Sequence, residues 1–118
     1  MLDIIRNGTT FQKNQALAAI VTLIVHNEKN KIMIARADGI SPLLRIVRDG
    51  TEMQQSLAVR ALYCLVKNEN IRDEVYQKGG ISPIVNLTVK HETAPDRRRS
   101  AIATLKLLST NKLTMTLN

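Results

Sequence analysis

A chain of 118 residues with 44% hydrophobic content has the length of one domain and enough apolar side chains for a packed core, which argues against disorder. Aromatics are only 3% and Trp is absent, so the interior is aliphatic; the single Cys64 excludes an internal disulfide framework and fits a reducing compartment. The longest apolar run, 16–25, is interrupted by Thr22 and falls short of the roughly 18 residues that span a bilayer, and the start "MLDIIRNG" is unlike a secretory signal, so an intracellular protein is expected.

In chain order, 1–7 reads as a short helix. Thr9 with Gln12 three residues on makes a capping box that opens a longer helix, with Ala16, Ala19, Ile20 and Leu23 at spacings of three and four as its inward stripe. A shorter helix follows over 29–37, with Ile34 facing inward. Gly39-Ile40-Ser41-Pro42 then reads as a stop and a start: glycine for a left-handed stop, serine as a cap and proline in the first helical position, opening a helix over 43–48. Asp49-Gly50 ends that helix. Thr51 and Gln54 repeat the capping box, and Ala58, Ala61, Leu62 and Leu65 repeat the stripe. The next helix, 70–78, faces Val75 inward; Gly80-Ile81-Ser82-Pro83 repeats the turn, before a helix over 84–90. The segment "HETAPDRRRS" inserts two residues relative to the preceding copy, and Ala101, Thr104, Leu105 and Leu108 form the third stripe.

The period is 41 residues between the two glycine turns and 42 between the two threonine caps, within the range of helical solenoids. Three helices per period, the "GISP" turn and the A-x-x-A-L-x-x-L helix resemble the armadillo repeat family over nearly the whole chain. The resemblance implies an all-α, right-handed α-α superhelix of about three units, the terminal ones incomplete. Its expected divisions are a partial repeat at 1–27, a full repeat at 28–68, a repeat at 69–111 and the start of a further one at 112–118.

Armadillo proteins bind partners in the groove lined by the long third helix of each unit and are not enzymes. The resemblance therefore implies a groove formed by Asn14, Ala18 and Thr22, then Ser56, Arg60 and Cys64, then Arg99, Ala103 and Leu107. Members that grip extended peptides repeat a Trp and an Asn four residues apart on this helix. Here the Trp position holds Ala18, Arg60 and Ala103, and the Asn position Thr22, Cys64 and Leu107, so that ladder is missing. Arg60 and Arg99 also have the wrong sign for binding basic localisation signals.

With 17 Lys and Arg against 10 Asp and Glu the net charge is +7. The expected function is a non-catalytic interaction or scaffold module for an acidic protein partner, with no cofactor. The alternative is a polyanion-binding module using Arg97, Arg98 and Arg99 as a basic patch, although Phe11, Tyr63 and Tyr76 are too few for base stacking and make nucleic acid the lesser expectation. His26 and His91 fall at helix ends with no nucleophile or ligand at motif spacing, and Cys64 reads as a packing residue. A solenoid without capping units exposes its ends, here Leu2, Ile4 and Ile5 at one and Leu105, Leu108 and Leu113 at the other, which implies end-to-end packing with a second copy, another subunit or more of the same chain.

Overall fold

Thr9 and Thr51 start their helices as the sequence predicts. Each hydroxyl accepts from the backbone N–H three residues on, at 3.1 Å from Gln12 and 3.2 Å from Gln54, while each glutamine carbonyl accepts the threonine N–H at 3.0 Å. The computed structural model describes residues 2–90 and 93–117, with side chains as far as Thr110. It contains α1 (Leu2–Asn7), α2 (Thr10–Ile24), α3 (Glu28–Arg36), α4 (Ile40–Asp49), α5 (Glu52–Leu65), α6 (Glu69–Gln77), α7 (Ile81–Val89) and α8 (Pro95–Leu117). Among the described residues there is no strand, and no helix is long and apolar enough to cross a membrane. His91 lies outside them.

The long helices α2, α5 and α8 lie side by side with α5 in the middle, and α1, α4 and α7 form a second row, each against the long helix of its own unit and α4 also touching α1 and α7. Helix α3 leans on α2, and α6 on α8. The central α5 buries Ala58, Val59, Ala61, Leu62 and Leu65 completely, because it has a neighbour on both flanks and α4 behind it. Leu23, expected in the core, is 45% exposed; the inward positions of α2 are taken by Ala16, Leu17, Ile20 and Ile24.

The two glycine turns differ from the sequence reading by one residue. The left-handed residues are Asp38 (φ 60°) and Gly79 (φ 75°), whereas Gly39 and Gly80 are right-handed. Gly39 donates to the Ile34 carbonyl and Gly80 to that of Val75, both at 2.9 Å, while Asp38 and Gly79 donate to Ala35 and Tyr76 at 3.1 Å, the bond pair of a Schellman stop. Gly39 is needed for closeness: a Cβ there would sit 2.6 Å from Ile34 Cγ2 and 2.7 Å from its carbonyl oxygen. The same glycines serve as N-caps of α4 and α7, without a side-chain cap bond, so Ser41 and Ser82 are not the caps and both helices begin three residues earlier than expected. Pro42 and Pro83 fall within the first turn, where a missing N–H costs no helical bond.

Polar contacts tie each unit to the next at a separation of about one repeat. Asn68 Nδ2 donates to Glu28 Oε1 at 2.6 Å, Lys78 Nζ to Asp38 Oδ1 at 3.1 Å and Arg97 Nε to Ser56 Oγ at 2.8 Å. Asp38 also faces Arg6, whose Nη2 lies 3.9 Å from Oδ2, so one carboxylate touches all three units. The Lys78 hydrogen bond and charge hold the Asp38 carboxyl below its ordinary range, and the hydrogen bond from Asn68 does the same for Glu28.

At the ends, Ile5 and Leu108 are buried within the chain and Leu2 and Leu105 are half-buried, which corrects the expectation that all of them face water. Exposed apolar residues near the ends include Ile4 in α1 and Val85, Val89 and Ile102 in α7 and α8; Phe11, Leu23, Val25, Met33 and Met53 are exposed as well. The side chain of Leu113 lies outside the described ones. Helix α8 continues unbroken to Leu117, so no turn opens a new helix at 112. The segment 96–117 contains neither glycine nor proline to stop it.

Candidate partner-binding groove

The nine groove positions sit on α2, α5 and α8 and differ in access. Ala18, Thr22, Arg60 and Arg99 are exposed; Asn14, Ser56, Cys64, Ala103 and Leu107 are half-buried. Thr22 turns its hydroxyl back to the Ala18 carbonyl at 3.0 Å, and Asn14 donates to Met53 Sδ at 3.5 Å while its Oδ1 is buried without a partner among the described residues. Between α5 and the start of α8 the chemistry is concentrated. Ser56, Arg60, Ala94, Asp96, Arg97, Arg99 and Ser100 line one cavity of about 540 Å³.

The structure separates the three consecutive arginines, correcting the picture of a single exposed patch. Successive helical residues point about 100° apart, so three in a row cannot share a face. Arg97 turns inward, only 7% exposed, against Ser56 of the preceding unit. Arg98 reaches back to the Lys90 carbonyl at 2.6 Å. Arg99 remains outside, paired with Asp96. The local sequence carries a signal for the inward direction of Arg97. Arg97 occupies the third position of α8, where α2 and α5 have the capping-box glutamines Gln12 and Gln54, and Ala94 precedes Pro95 where the others have threonine. Without a hydroxyl cap to engage, the third-position side chain is free to cross to α5.

Within the cavity, Arg60, Arg97 and Arg99 face a single carboxylate, Asp96. Among the described residues neither Arg60 nor Arg97 has an acidic partner. A guanidinium taken out of water costs several kcal/mol unless an anion compensates it, so the cavity's electrostatics favour an acidic group. A second cavity of about 340 Å³ between α4 and α7 is lined by Arg45, Arg48 and Lys78 with Ser41, Ser82 and Asn86. There Arg48 is already paired with Asp49 at 2.9 Å and Lys78 with Asp38, and Arg45 has no ion pair among the described residues. Among the described residues no three His, Cys, Asp or Glu side chains are grouped to hold a metal ion, and Cys64 is a free thiol.

No family model, curated protein or solved structure matches the chain.

Proposed function

We propose that the chain is an armadillo-type interaction module that binds an acidic protein segment along the row of α2, α5 and α8 and carries out no catalysis. The observation that supports this most is the cavity where Arg60, Arg97 and Arg99 meet with one opposing carboxylate. Supporting the armadillo reading are the three stacked units, the matched capping boxes and the matched glycine stops. A groove of this sign attracts acidic segments and repels basic ones. The free thiol of Cys64 fits an intracellular setting. The exposed Ile4, Val85, Val89 and Ile102 fit packing of the module within a larger assembly.

The polyanion alternative has less support, since Arg97, Arg98 and Arg99 do not form one continuous exposed patch: they are held separately, by Ser56, the Lys90 carbonyl and Asp96. The test is fluorescence anisotropy with labelled octaglutamate and octalysine. Octaglutamate should bind, octalysine should not, and Arg60→Glu should weaken binding at least tenfold while leaving the melting temperature within a few degrees, because Arg60 is exposed. Unchanged affinity in Arg60→Glu would remove the groove from the interaction, and tighter binding to duplex DNA than to octaglutamate would favour the polyanion reading.

A further inference from the structure

We infer that the cavity between α5 and the start of α8 is a phosphoryl site that reads a phosphorylated side chain in the acidic partner, an inference that rests on the groove reading above. The central group is Arg97. It is more than nine-tenths buried, its Nε is held by the neutral hydroxyl of Ser56 at 2.8 Å, and it has no ion pair among the described residues. Arg97 lines the cavity together with Arg60, Arg99, Ser56 and Ser100. A planar guanidinium fixed at one nitrogen presents its others in a preset direction, the arrangement that suits bidentate contact with an oxyanion.

Charge count distinguishes phosphate from carboxylate. Three arginines against Asp96 leave a formal charge of +2 around the cavity. A glutamate side chain would neutralise half of it, whereas a phosphoserine carries about −1.5 to −2 at neutral pH and offers three acceptor oxygens. The site also lies at the N-terminal end of α8, where the helix dipole adds to the attraction for an anion. Arg99 already pairs with Asp96, so an incoming phosphoryl group competes with that carboxylate for one arginine and meets Arg60 and Arg97 without competition.

The experiment uses the full chain and three fluorescent heptapeptide pools with random flanks and a central phosphoserine, glutamate or serine. The phosphoserine pool should bind at least tenfold tighter than the glutamate pool at pH 7.4. That preference should shrink as the pH falls below about 6, where the phosphate dianion takes up a proton. Arg97→Gln should abolish the preference; should that variant fail to fold, Arg60→Gln, at an exposed position, should reduce it severalfold. Equal affinity for the phosphoserine and glutamate pools would overturn the phosphoryl site and leave the acidic groove standing, provided octaglutamate still binds. No binding of the phosphoserine pool, or its displacement by duplex DNA with no effect of Arg97→Gln or Arg60→Gln, would overturn the inference outright.

Discussion

Leu62 lies in the middle of α5 with no solvent exposure, where the outer units press on the central one from both sides. Replacing it by alanine removes three carbon groups, worth about 0.8 kcal/mol each in transfer free energy, or about 2.4 kcal/mol together. The flanking helices are held by their own buried stripes and by the contacts from Asn68, Lys78 and Arg97, so the space cannot close fully. The residual cavity adds a further increment and brings the expected loss to about 3 to 5 kcal/mol. With a urea dependence of roughly 2 kcal/mol per molar for a domain of this size, the unfolding midpoint should fall by about 2 M. Leu23→Ala is the control: it removes the same atoms from a side chain 45% exposed and should cost less than about 1 kcal/mol. Urea melts followed by circular dichroism at 222 nm measure both. A loss below about 1 kcal/mol for Leu62→Ala, or equal losses for the two variants, would refute the placement of α5 as the shared core.

Two further outcomes follow from the turns and the contacts between units. Gly39→Ala forces a Cβ against the Ile34 carbonyl and should cost roughly 1 to 3 kcal/mol, whereas Gly79→Ala meets open space and should cost only the left-handed penalty of about 1 to 2 kcal/mol; a neutral Gly39→Ala in the same urea melts would contradict the close approach. Asp38 and Glu28 have depressed carboxyl pKa values in the folded chain, so their contribution is present above the ordinary carboxylate range near 4 and is lost as the pH falls through the folded values. The melting temperature of Asp38→Asn should therefore depend less on pH between 6 and 3 than that of the parent, and parallel curves would show that the pairing is not coupled to folding.

The features legible in the sequence are those that depend on neighbours three or four residues away. Thr9 with Gln12 and Thr51 with Gln54 are complete local devices, and the stripe around Leu62 follows from helical spacing alone. The glycine turns were visible, but which residue turns left-handed was not, because Gly79-Gly80 offers two candidates and Asp38 takes that conformation without being glycine. Asn27 and Asn68, which cap α3 and α6 by accepting the N–H of Asn30 and Ile71, carry a weaker signal, since no glutamine follows to complete a box. In the groove, Ser56, Arg60 and Arg99 come together around one cavity. The direction of Arg97 is legible only in part: Ala94 in place of a threonine cap leaves its side chain uncommitted, but its partner Ser56 lies 41 residues away, beyond the reach of a local rule.

The contact between Asp38 and Lys78 has a consequence for the order of the units. The apolar stripes of the long helices share one spacing, so hydrophobic packing by itself discriminates little between neighbours. The ion pair is different: the turn that holds Asp38 in the second unit holds Gly79 in the third, and the position of Lys78 in the third unit corresponds to Ala37 in the second. Inserting a copy of 69–111 after the original would bring the new lysine against Gly79. Inserting a copy of 28–68 would bring Asp38 against Ala37. Either tandem array keeps its hydrophobic seam and carries the pair at one junction only, so the polar residues act as an address that distinguishes the native neighbour from a duplicate.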